Sequence, residues 1–203
     1  MPTPIGHALA GVAAAWAADL VPGDRAWRTA SRFASWYERA GNGLTLGCAC
    51  LAVAPDIDLV FLPFNSEGHR TVTHSVGAVL FVGLFAAAMA VRARRPVARV
   101  ALMCAVAYAT HLLIDWLGAD NFPPRGLQLL WPFSHAWYIS DWDVFRQTAR
   151  RQITSGAIIR LNLLAIAQEI AILLPIVVAL WSVRVKALAG LATELPSRDH
   201  AAK

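Results

Sequence analysis

Charge is scarce in this chain. Asp, Glu, Lys and Arg make up 15% of its 203 residues, against about a quarter in an average soluble domain. Apolar residues make up 57%, above the roughly 45–50% of such a domain, and the mean hydropathy is +0.49. This balance excludes a disordered, collagen-like or nucleic-acid-coating protein. It points instead to lipid as the solvent for much of the chain. Cysteine is scarce too: Cys48, Cys50 and Cys104 make no disulfide framework, and they read as small buried residues in apolar runs. No Lys or Arg precedes Arg25, so the basic start of a cleaved signal peptide is missing and cleavage is not expected. A Gly-rich phosphate loop, a Gly-x-Ser-x-Gly elbow and a Cys-x-x-Cys pair are all missing, which leaves a serine- or cysteine-nucleophile hydrolase without support. No internal repeat is visible, so a repeat-built transporter is not favoured.

The apolar residues are organised into long runs. A spanning helix needs about 20 of them, and five candidate spans follow: 4–21, 44–64, 76–91, 97–117 and 161–183. The whole chain, 1–203, reads as a single membrane-embedded helical domain. Residues 119–160, rich in Trp and Pro, are too polar to span and read as an extramembrane segment, with an interfacial helix expected over 141–153. Residues 184–203 form a polar tail. The net charge of +5 reads as loop positives on a membrane protein, and no direct nucleic-acid binding is expected. If the loop Arg92–Pro96 is cytoplasmic, alternation puts 22–43, 92–99 and the tail on the inside, with twelve of the 18 Lys and Arg. The expectation is therefore an N-terminus outside and a C-terminus in the cytoplasm.

The few polar residues within the runs are not scattered. His7 opens the first span, and Asp56 and Asp58 come late in the second. His69 and His74 precede the third, and His111 and Asp115 close the fourth. Since helices alternate in direction, all of these fall at one end of the bundle. His111 and Asp115 are four apart, on one helical face, where a nitrogen and a carboxylate can grip one cation. Asp56 and Asp58 flank a helix break beside Pro55. An aspartate at membrane depth costs about +2.5 to +3.5 kcal/mol on the insertion scale, so several at one end need a compensating partner. A divalent cation supplies one, zinc first, with manganese or iron as alternatives and one or two ions; mutual pairing or a proton pathway would do so as well. Arg70, between the two histidines, is a candidate clamp for an anionic group. Glu169, in the middle of the last span, either pairs structurally or reaches the site. His135 is either an extra ligand or an interfacial residue, and His200 a solvated one. Trp131, Trp137 and Trp142 read as an interfacial belt, and Gly6 and Gly11 as close-packing positions.

The ordered set Gly6-His7, Pro55-Asp56-Ile57-Asp58, His69-Arg70-Thr71-Val72-Thr73-His74-Ser75, His111-x-x-x-Asp115 and Leu129-Leu130-Trp131-Pro132 resembles the YdjM family. These are bacterial inner-membrane proteins described as metal-dependent hydrolases and, in the family's name, as LexA-binding. The resemblance covers about residues 4–135. Thr71 stands where the family usually has Gly. The stretch Gly118–Pro123 replaces its usual Thr-Pro. The family is also distantly similar to zinc-dependent phospholipase C and its nuclease relatives, helical phosphodiesterases with His/Asp zinc clusters. That similarity implies His7, Asp56, His69 or His74, His111 and Asp115 as metal ligands, with Asp115 as a candidate bridge between two ions.

Two functions are expected from these readings. The first is a membrane-bound, metal-dependent hydrolase of a phosphate ester or phospholipid-like substrate, with Arg70 on the phosphoryl group and Asp58 or Asp56 as proton acceptor. The second is a non-catalytic membrane protein, carrying metal or protons or docking a partner. Membrane lipid is the expected surrounding; the oligomeric state is open.

Overall fold

A computed structural model describes residues 2–20, 43–61, 69–150 and 152–193. Among them are five α-helices and no strand: α1 (Pro4–Leu20), α2 (Gly43–Val53), α3 (Val76–Arg92), α4 (Val97–Trp116) and α5 (Gly156–Thr193). The all-helical bundle is therefore as expected from the apolar runs. By length and composition three stretches can cross a membrane: Gly43–Val60, Val97–Trp116 and Gly156–Lys186. The other two expected spans are apolar helices but shorter, Pro4–Ala18 and Val76–Arg92. The expected inner loop 22–43 and most of the polar tail, including His200, lie outside the described residues, except that Gly43 opens α2 and the helix α5 runs on to Thr193.

α1 is the hub, packed against α2, α4 and α5, while α3 packs on α4. Gly11 lets α1 and α2 close up: a Cβ there would sit 2.6 Å from the Ala52 Cβ and the Cys48 carbonyl oxygen. Pro55 has no backbone N–H to offer, and just before it α2 tightens into a 3₁₀ segment, Ala54–Phe61, that carries Asp56 and Asp58. A second 3₁₀ turn, Val72–His74, leads directly into α3. Ser75 caps that helix, its Oγ accepting from the Ala78 amide at 3.1 Å and donating to the Val72 carbonyl at 2.6 Å. His74 is thus locked between a tight turn and a helix cap.

The segment between α4 and α5 departs from expectation. Among the described residues of 141–153 no helix forms. The chain there is irregular, and its backbone is satisfied by Leu117 and Ala119 and by α5 side chains instead of by a helical ladder. Gln168 accepts from the Arg146 amide and donates to the Val144 carbonyl. Asn162 accepts from the Ala149 amide and donates to its carbonyl. This is the role of two polar residues that interrupt the otherwise apolar α5. Of the free cysteines, Cys48 and Cys104 are buried as read, whereas Cys50, also read as buried, is exposed.

Candidate metal centre

The predicted polar residues meet at one end of the bundle. His111 and Asp115 come from the last turns of α4, His7 from the first turns of α1, Asp56 and Asp58 from the first 3₁₀ segment, His74 from the second, and His69 just before it. Two groups have the spacing to hold a metal ion: His7, His111 and Asp115, and Asp56, His69 and His74. In each, the candidate ligand atoms lie within 4.8 Å of one another. The groups adjoin, for His74 Nε2 lies 3.1 Å from His111 Nε2 and 3.6 Å from Asp115 Oδ2. His7 and His111 stack, with ring centroids 3.7 Å apart.

Asp115 is the test of whether a cation fits. Its side chain is 1% exposed, yet neither oxygen has a hydrogen-bond partner. The atoms nearest to it are three imidazole nitrogens: His111 Nε2 at 3.2 Å, His7 Nε2 at 3.5 Å and His74 Nε2 at 3.6 Å. His111 Nδ1 donates to the Ala52 carbonyl at 2.7 Å. That bond fixes the neutral tautomer and turns the Nε2 lone pair toward the carboxylate. A buried carboxylate that no hydrogen bond satisfies is unfavourable unless positive charge lies beside it, and a cation bridging it to these nitrogens would supply that. The donor set, imidazole nitrogen with carboxylate oxygen, suits a divalent transition ion.

Asp58, one of the two candidate proton acceptors, is held by several contacts. Its Oδ1 takes His69 Nδ1 at 2.6 Å. Its Oδ2 accepts from Thr73 Oγ1 at 2.7 Å and the Arg70 amide at 3.2 Å, and lies 3.2 Å from His74 Nδ1. One carboxylate therefore orients two imidazoles, leaving their Nε2 atoms to face outward from it. Burial would lower the His74 pKa, but hydrogen bonds to Asp56 and Asp58 outweigh it and push the imidazole up to about 9. For His69 burial wins over the Asp58 contact and holds the imidazole below its usual range. Its Nε2 accepts from Arg150 Nη1 at 2.8 Å.

Arg70 stands at a positive φ of 67°, next to the Thr71 that replaces the family's Gly. Its guanidinium pairs with Asp120, a buried residue that the sequence did not single out. Asp120 also accepts from the Phe122 and Gly126 amides, so it ties the post-α4 loop to the site. Beside the cluster opens a cavity of ≈ 470 Å³, lined among others by His69, Arg70, Asp120 and Arg150. Arg150 was also missed, being one of several arginines in an irregular segment. Exposed His135 is not among the groups that could hold an ion.

Glu169 is fully buried and serves structure. Its Oε1 accepts from the Thr3 amide at 2.8 Å and its Oε2 from Thr3 Oγ1 at 2.5 Å. It therefore caps the start of α1 from another helix. Gly6 leaves the room, since a Cβ there would meet Glu169 Oε2 at 2.6 Å. The next residue is His7.

Fold and site together define a membrane protein of helical-bundle class with buried His/Asp groups that could hold a metal ion. The family model described as YdjM inner membrane protein matches residues 1–191. The chain belongs to the YdjM family, and the match extends past the motifs that first suggested it. No curated protein and no solved structure matches the chain.

Proposed function

We propose that this protein is a membrane-bound, metal-dependent hydrolase acting on a phosphate ester at the outer face of the bacterial inner membrane. The observation that supports this most is the buried Asp115 carboxylate, unpartnered and faced by three imidazole nitrogens. His7, His111 and Asp115 form the deep holding group, with His74 and Asp56 closing it. A bound divalent ion, zinc first, supplies Lewis acidity and activated water. The chain's own residues do the rest. Asp58 is a positioning residue that fixes the His69 and His74 rings. Arg70, neutralised by Asp120, borders the cavity where the ester sits, and Arg150 adds a second guanidinium. The bundle excludes water from the deep group, which strengthens every electrostatic contact in it. The outer-face orientation rests on Arg92, Arg94, Arg95 and Arg99 lying at the opposite end of α3 and α4 from the cluster.

The test is metal analysis of the protein purified in detergent, combined with a panel of phosphate mono- and diesters. The wild type is expected to hold metal and release product from at least one ester. Loss of both properties in Asp115→Ala and His111→Ala supports the reading. Full metal occupancy in both variants, or metal without hydrolysis across the panel, refutes it.

A further inference from the structure

The cavity beside the cluster has an uneven lining. It is lined by cationic and polar side chains, Arg150, Gln147 and Thr148 among them, and by apolar ones, Phe122, Pro123 and Ile158. Its volume of ≈ 470 Å³ falls within the roughly 300–1,000 Å³ of small-molecule sites. The two arginines in it differ. Arg70 already has a carboxylate partner in Asp120. Arg150 has none among the described residues; its polar contact is His69 Nε2, at 2.8 Å. A guanidinium without a carboxylate partner, lining a cavity beside a candidate metal centre, is available to an anion, and its planar fork suits phosphate.

The apolar lining continues outward. Ile158 belongs to the first turn of the stretch Gly156–Lys186, which is long and apolar enough to cross a membrane. Around it, Phe122, Ile153 and Ile159 are 63%, 62% and 46% exposed. The mouth of the cavity therefore coincides with the end of a span, where apolar side chains meet the hydrocarbon boundary.

We infer that this cavity binds the phosphate head of a membrane-resident ester, with Arg150 on the phosphate and the hydrocarbon part leaving along Phe122, Ile158 and Ile159. This rests on the hydrolase reading for its role but not for its test. The shared chemistry is a phosphate ester; the apolar rim selects the lipid-borne form over a soluble one.

The test uses full-length protein in detergent, with chelator present so that no turnover occurs, and native mass spectrometry as the readout. The probes are dioleoylphosphatidic acid, dioleoylglycerol (the same chains without phosphate) and glycerol 3-phosphate (the same head without chains). Phosphatidic acid should be retained more strongly than either. Arg150→Ala should lower its retention about tenfold or more, the scale of one lost charged hydrogen-bonding group. Arg150→Lys should restore part of it, and Arg160→Ala, an exposed arginine outside the lining, should change nothing. Circular dichroism checks that each variant keeps its helices. Equal retention in Arg150→Ala, an equal loss in Arg160→Ala, or equally tight glycerol 3-phosphate would each overturn the inference. Metal-dependent phosphate release, measured separately, tests the hydrolase reading, so either can fail alone.

Discussion

The two halves of the candidate metal centre are built differently. His7, His111 and Asp115 stand on regular helices, are at most 1% exposed and do not line the cavity described above. Asp56, His69 and His74 stand on 3₁₀ turns and loop, and His69 reaches the cavity wall. A helix face sets three positions rigidly and keeps water out. A turn, held by side-chain hydrogen bonds from Asp58 and Thr73, can be tuned one bond at a time. The deep half is thus suited to keeping an ion, and the shallow half to presenting it to a ligand.

The contrast can be broken in order of expected effect. Asp115→Ala should cost more than about 100-fold in zinc affinity, since second-layer changes alone reach 10–100-fold. Competition with a chelator of known affinity measures it, and a loss smaller than that of Asp58→Asn would invert the two halves. The pH comes next. His74 is raised to about 9, so at neutral pH its proton must leave before a metal can bind. Affinity should then rise with pH, by up to about tenfold per unit, and level off above about 9. A zinc titration that is flat between pH 6 and 8 would remove His74 from the ligand set. Asp58→Asn should cost about 10–100-fold in affinity while leaving the helical content intact. An unchanged affinity would show that His69 and His74 do not need orienting. Smallest is Gly6→Ala, which pushes Cβ against the Glu169 carboxylate; overpacking of this kind costs about 1–3 kcal/mol. Thermal unfolding in detergent reads it, and an unaltered melting temperature would mean that the α1 cap adjusts freely.

The deep half was also the legible half. His111 and Asp115 declare themselves by a four-residue spacing on an apolar helix, and His7 by its place at the matching end of another. Pro55 marked the break that carries Asp56 and Asp58. The shallow half was legible in composition but not in roles. Asp58 looks like a spare carboxylate until its four contacts are seen. Asp120 and Arg150 sit in a stretch without periodicity, where neighbours in space are far apart in sequence: Arg70 and Asp120 are 50 residues apart, and His69 and Arg150 81. The expected helix over 141–153 failed because its backbone partners include Asn162 and Gln168, side chains that lie in another element altogether. Glu169 was read as either pairing or reaching the site. Among the described residues it pairs structurally, holding the Thr3 end of α1 one turn before His7.

The stitching of residues 144–149 to α5 makes the cavity a passenger on that helix. Asn162 and Gln168 lie six residues apart, about 9 Å along a helix axis, and each fixes the irregular segment by paired hydrogen bonds. Gln147, Thr148 and Arg150 are carried on this splint, while His7, His111 and Asp115 belong to α1 and α4. A change in the tilt of α5 would act on this splint directly and on the cluster through α1, which Glu169 ties to α5. The thickness of the surrounding bilayer acts on tilt directly, so the lipid environment has a mechanical handle on the geometry of this site.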